Sequence, residues 1–173
     1  GIPEGADGLV TGDTTITPSH LTLNVLSPYD GCGVFYSPIG EAASFTFTAN
    51  RVTQVALPYR LMHLRDLGLS HKGLLVHTSQ PATLVLVDSL PEAGDVTQIL
   101  PNEALDTAYV VNEWGLYNDP SDRENNHVSF VVTASQDSTL VTVTPSVTTM
   151  LGQPAGIPVQ VMLMRGDCYS VKA

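Results

Sequence analysis

The sequence predicts an all-β domain, an antiparallel β-sandwich-like arrangement built from three related hairpin units, and three observations carry that prediction. Apolar residues recur with period two in short runs, as in Phe45 and Phe47 against Thr46 and Thr48, or Val141 and Val143 against Thr142 and Thr144. That alternation suits a strand with one buried face. Ser, Asn, Gly and Pro punctuate the runs, and helical periodicity is nearly absent. The chain also repeats itself: Gly73–Val87 aligns without gaps with Ser129–Val143 at an offset of 56 (129 minus 73), with seven of fifteen positions identical. Self-similarity of this kind marks related supersecondary units.

Taken in order, the first strands are predicted at Leu21–Leu26 and Gly33–Tyr36, with Ser27-Pro28 in the turn between them, followed by Ser44–Thr48 and Thr53–Leu57. Leu61–Leu69 and Asn102–Leu105 are the two stretches that suit short helical turns. The repeated pairs are Leu74–His77 with Thr83–Val87, and Ser129–Thr133 with Thr139–Thr144. In both, Ser-Gln and a turn former, Pro81 or Asp137, separate two apolar runs. Each reads as a hairpin with a four-residue turn beginning at Ser79 or Ser135. After each hairpin a second phrase recurs: Val52-Thr-Gln-Val-Ala-Leu-Pro58, Val96-Thr-Gln-Ile-Leu-Pro101 and Val159-Gln-Val-Met-Leu163. Ala108–Asn112, Val159–Met164 and Cys168–Val171 complete the predicted strands.

Residues 1–20 are expected to be an N-terminal extension or a first strand, and 20–173 a single domain with repeats near 20–70, 71–126 and 127–173. One such unit cannot bury a sheet face by itself. The units therefore pack on one another, as facing sheets or around a pseudo-three-fold axis in a prism- or propeller-like manner. The pattern leaves both packings open.

Composition narrows the function classes. With 173 residues, 43% hydrophobic and 14% charged, the chain is long enough to bury a core, and disorder is disfavoured. No apolar run approaches a membrane-spanning helix. Seventeen acidic and seven basic side chains give a formal charge of −10, which repels phosphate backbones and anionic membranes. The segment from Gly1 to His20 lacks a targeting pattern, so the chain reads as a processed or excised piece. Cys32 and Cys168 are too few for a cysteine metal site, and they either pair or stay reduced.

Several phrases together resemble a known family: Ser79-Gln-Pro-Ala-Thr-Leu-Val-Leu-Val; Ile99-Leu-Pro with Ala104-Leu and Ala108-Tyr-Val-Val; Phe130 through Pro145; and Val161-Met-Leu-Met-Arg-Gly-Asp-Cys-Tyr169. Their order, over roughly residues 20–171, resembles the N-terminal domain of the IgG Fc-binding protein family. Asp106 departs from the pattern, standing where a Gly usually follows the Leu. The resemblance implies an extracellular module of secreted mucus components and surface proteins, used for binding or adhesion, with no catalytic residues to carry over. In an oxidising compartment the expected consequence is a Cys32–Cys168 disulfide stapling the first part of the domain to the last strand.

The chemical constellations point the same way. Gly-x-Ser-x-Gly is absent, so no hydrolase elbow is present. Asp30-Gly-Cys-Gly33 lacks the spacing of a phosphate cradle and reads as a tight turn. Asp119, Asp122, Glu124 and Asn125 sit in the acidic segment 118–126, the first expectation for a contact site. Their oxygens would suit Ca²⁺, although the spacing misses the regular calcium loop and a solvated loop is the simpler reading. His20, His71 and His127 each open a repeat. Around a three-fold axis they would converge as three nitrogen ligands for a metal, the simpler alternative being a cap on the strand edge. Arg165-Gly166-Asp167 spells the integrin tripeptide, but its place beside a strand reads as a turn. Exposed aromatics would suit carbohydrate stacking, but at 6% aromatic content most of Phe45, Phe47, Phe130 and Trp114 are expected in the core.

The expected function is thus a secreted or cell-surface protein-binding or adhesion module, not an enzyme and without an obligatory cofactor. It would recognise a protein or glycoprotein ligand. The alternatives are a self-associating structural subunit of an extracellular assembly and a carbohydrate-binding domain.

Overall fold

The structure, a computed structural model, describes residues 20–58, 61, 67–89, 94–112 and 129–173. Among these residues twelve strands run in chain order: β1 His20–Leu26, β2 Gly31–Tyr36, β3 Ala42–Phe47, β4 Thr53–Ala56, β5 Gly68–Ser70, β6 Leu75–Thr78, β7 Thr83–Ser89, β8 Gly94–Ile99, β9 Ser129–Thr133, β10 Thr139–Val143, β11 Val159–Leu163 and β12 Cys168–Lys172. All their pairings are antiparallel. Asn102–Ala104 forms the expected helical turn, of 3₁₀ type. Most of 61–69 lies outside the described residues, and Gly68–Ser70 at its end is a strand. Ala108–Asn112, predicted as a strand, pairs with no strand among the described residues and is exposed.

The strands make four sheets that face each other in two pairs. The order β4-β1-β7-β8 packs over β3-β2-β6, and β5-β12-β9 packs over the two-stranded β10-β11. Leu21, Leu23 and Val25 of β1 and Leu86 of β7 meet Phe35 of β2 and Phe47 of β3 in the first core, with Leu57 and Leu61. Val143, Leu163, Tyr169 and Val171 form the second with Ala134, and Phe130, Val141 and Val161 pack against it. Burial of these side chains supplies the main driving force, on the order of 1.5–3 kcal/mol for each fully buried large residue. Units one and two thus share one sandwich, while unit three builds the other with β5 added from the end of unit one. The pseudo-three-fold alternative does not form among the described residues, because the strands of the first two units are laid side by side in common sheets.

The repeated units are not hairpins. β1 and β2, β6 and β7, and β9 and β10 are consecutive in sequence, yet each pair places its two strands in opposite sheets. The turn is an arch: a chain rising about 3.3 Å per residue needs only about three residues to cross the roughly 10 Å between facing sheets. The repeated serines tie the arches together. Ser27 Oγ, 1% exposed, donates to the Pro81 carbonyl at 2.8 Å. Ser79 Oγ accepts from the Cys32 amide at 3.0 Å, and the Ser79 amide donates back to the Cys32 carbonyl at 2.8 Å. With their polar groups satisfied this way, the strands of the first two arches ladder across units, β1 with β7 and β2 with β6, whereas β9 and β10 take β12 and β11 of their own unit.

The glycines of Asp30-Gly-Cys-Gly33 lie within β2 rather than in a tight turn. Gly31 stands opposite Phe47, whose ring covers it so closely that a Cβ would come within 2.5 Å of Phe47 Cζ. The residue is glycine because the aromatic partner occupies the side-chain space.

One repeat differs in a way identity conceals. In β7, Leu86 is buried and Leu84 packs on the first core. Their aligned partners in β10, Thr142 and Leu140, face solvent, whereas Val141 and Val143 point inward. The first arch occupies four residues, 79–82, and the second five, 134–138. Ser138, the last of the five, has a left-handed φ of 57°. A one-residue shift exchanges the two faces of a strand, so Leu140 is 55% exposed opposite Met162 at 54%.

Candidate functional site

The two sandwiches meet at the turn between β11 and β12, and that turn is Arg165-Gly166-Asp167. The Asp167 amide donates to the Met164 carbonyl at 2.9 Å and closes the turn. Gly166 takes a φ of 84°, a region that favours glycine, and a Cβ there would come within 2.6 Å of Pro38 Cγ. Its amide donates to the Ala134 carbonyl at 2.9 Å, and its carbonyl accepts from the Gly73 amide at 3.0 Å. The Ala134 amide donates to the Asp167 carbonyl at 3.0 Å. Segments 71–73 and 134–137 are thereby fixed to the turn, while Pro38 abuts it.

The side chains divide into an anchor and a display. Asp167 is buried at 7% exposure. Its Oδ2 accepts the Met164 amide at 2.8 Å, and its Oδ1 lies 2.6 Å from Nδ1 of His71. This aspartate is an internal brace, so the tripeptide does not present both of its charges to a receptor. Arg165 points outward instead. Its amide donates to Oδ1 of Asp137 at 3.0 Å, its Nη2 donates to the Tyr36 hydroxyl at 2.8 Å, and its Cζ lies 5.9 Å from the Tyr36 ring centroid. Stacking on an aromatic face while one donor is engaged holds a guanidinium in a defined orientation. With the His71 side chain 61% exposed beside it, the turn displays a guanidinium, a phenol and an imidazole on a rigid base. Arg and Tyr are side chains that dominate protein-recognition energetics.

The expected site residues are distributed differently. Asp119, Asp122, Glu124, Asn125, His127 and Trp114 lie outside the described residues. The backbone of His20 opens β1, whereas His71 is engaged by Asp167. Among the described residues no three His, Cys, Asp or Glu side chains gather into a ligand set. The Cys32–Cys168 bridge is not formed in this structure. Cys32 is exposed on β2, whereas Cys168 is wholly buried at the start of β12, with its Sγ 3.2 Å from Thr133 Oγ1. The turn before β12 adjoins Tyr36 and Pro38, and Cys32 lies four residues back from Tyr36 along β2, roughly 13 Å away at a strand's rise. Tyr36 and Asp137 were not legible as site residues; the turn reading of Arg165-Gly166-Asp167 was the available signal.

Fold and surface together define an all-β module with a rigid display turn. Residues 95–173, from within β8 through β12, match the family model described as IgGFc binding protein, and they include Asp137 and the whole Arg165-Gly166-Asp167 turn. No curated protein and no solved structure matches the chain. Among the described residues no helix is long and apolar enough to cross a membrane.

Proposed function

We propose that this protein is an extracellular protein-binding module of a larger secreted or surface protein, and that its ligand is held at the Arg165–Tyr36–His71 surface. The observation that carries the reading is the family match over 95–173, which includes the turn on which Arg165 is displayed. In a chain of net charge −10, a cation that is oriented by Tyr36 and braced from below suits a carboxylate or carbonyl-rich patch on a partner protein. Adhesion would follow from the same contact if the ligand is itself surface-bound. The acidic segment with Asp119, Asp122, Glu124 and Asn125 is a second contact candidate, resting on its charge and length.

Immobilised IgG Fc fragment is the first probe. Binding is expected, with Arg165→Ala weakening it about tenfold or more, the effect of losing an anchoring side chain. Unchanged affinity in Arg165→Ala would move the contact elsewhere, and deletion of 118–126 would then test the acidic segment. Absence of Fc binding by the unmodified protein would remove Fc as the ligand, and hits confined to a glycan array would favour the carbohydrate class.

A further inference from the structure

Two unsatisfied features of this chain are complementary. The first is the segment after the 3₁₀ turn. Thr107-Ala-Tyr-Val-Val-Asn112 has a strand-forming composition, yet among the described residues it joins no sheet and is exposed throughout, with Val110 at 90% and Tyr109 at 64%. Its start is held locally: the Asp106 amide donates to the Tyr109 hydroxyl at 2.6 Å and the Thr107 amide to Asp106 Oδ1 at 2.7 Å.

The second feature is the edge of β10. Its counterpart β7 is laddered on both sides, by β8 and by β1, and β1 runs antiparallel to it from His20 opposite Ser89 to Leu26 opposite Thr83. Among the described residues β10 pairs with β11 alone. The repeat therefore shows what this edge accepts: an antiparallel strand, in β1 one of alternating polar and apolar residues.

We propose that Thr107–Asn112 of one copy adds as an antiparallel strand to β10 of a second copy of this chain. Segment 107–112, β10 and β11 contain no charged residue, so the edge carries none of the charges that usually prevent such pairing. In molecules that repel one another at −10 each, these two surfaces can meet without adding repulsion. Tyr109 and Val111, two apart and so on one face of an extended segment, lie beside exposed Leu140 and extend the apolar face that Met162 continues on β11. Backbone hydrogen bonds supply the pairing and this apolar contact sets its face. Because donor and acceptor are different surfaces, exchange closes as a reciprocal dimer or continues as a polymer.

Sedimentation velocity over a concentration series tests it. The unmodified protein is expected to shift with concentration from monomer to dimer or larger species, and to do so more readily at higher salt, which screens the repulsion. Val110→Pro, which removes a donor N–H, and Leu140→Lys, which places a charge beside the acceptor edge, are each expected to weaken association about tenfold or more. Both positions are exposed, and far-UV circular dichroism identical to the unmodified protein establishes that the variants fold. Mixing the two variants should restore a heavier species, since one retains the acceptor and the other the donor. The proposal is overturned by a monomer at every concentration, by a variant that associates as the unmodified protein does, or by a mixture that stays monomeric.

Discussion

Replacing Asp167 with alanine removes the brace beneath the display turn, and the size of the loss can be worked from its contacts. The carboxylate is 7% exposed and accepts the Met164 amide at 2.8 Å. A hydrogen bond to a charged group of this kind contributes about 1.5–3 kcal/mol. The contact with His71 is shorter, at 2.6 Å, but the imidazole side is 61% exposed, so solvent screening limits it to about 0.5–1 kcal/mol. Asp167→Ala should therefore destabilise the protein by about 2–4 kcal/mol. At about 2–4 °C per kcal/mol for a chain of this size, that is a fall in Tm of roughly 5–15 °C. Asp167→Asn keeps an acceptor oxygen for Met164 and loses the charge facing His71, so it should cost about 1 kcal/mol. Urea denaturation followed by circular dichroism measures all three forms. A loss below about 0.5 kcal/mol for Asp167→Ala, within the range of an ordinary surface substitution, would refute the assignment of this residue as a brace. An equal loss in the asparagine variant would refute the division between the two contacts.

Three further outcomes follow from the same geometry. Gly166→Ala should cost about 1–3 kcal/mol by chemical denaturation, since alanine must accept the φ of 84° and displace Pro38; a neutral effect would show that the turn relaxes freely. Leu23→Ala and Leu163→Ala each empty a wholly buried site in a different core, so each should cost about 2–5 kcal/mol. Their losses should add in the double variant to within about 0.5 kcal/mol, and strong coupling in a denaturation double-mutant cycle would contradict the two-core description. A maleimide reagent should modify exposed Cys32 in the native protein and reach Cys168, at 0% exposure, only after unfolding; protein lacking any reactive thiol until reduced would instead establish the bridge.

Much of the fold was legible because period-two alternation reports local burial. Leu21–Leu26, Ser129–Thr133 and Val159–Met164 all become strands within a residue of their predicted bounds. Pairing was less legible, because Ser-Gln with Pro81 or Asp137 marks only a reversal of course. Whether the second strand returns beside the first or crosses to the facing sheet depends on partners supplied from elsewhere, β1 for β7 and β11 for β10. β5 escaped detection because three residues, Gly68–Ser70, are too few to show a period. Ala108–Asn112 has a strand's composition but, among the described residues, no strand beside it, and composition does not report that. The site was legible only as a turn at Arg165–Asp167. The contacts that give it chemical character come from His71, Tyr36 and Asp137, separated from it by 96, 129 and 28 positions, and no local pattern encodes such distances.

The repeat itself shows why identity and role separate. Leu84 and Leu140 occupy the same place in two segments that share seven of fifteen residues, yet one packs on a core and the other is 55% exposed. The difference is set outside the strands, in an arch that takes in Ala134 where the first copy has Thr78 still in β6, and that ends on Ser138 in the left-handed region. Strand β10 tolerates the exchange because valine lies at both Val141 and Val143, so the inward face stays apolar whichever neighbours are turned out. The consequence falls on the surface. A leucine that closes a core in one copy becomes, with its partner Met162, an apolar pair beside an edge that carries no charge. Thus the change in the arch that spared the second core also left an apolar pair beside an uncharged strand edge, and it did so in the half of the chain that holds the displayed Arg165.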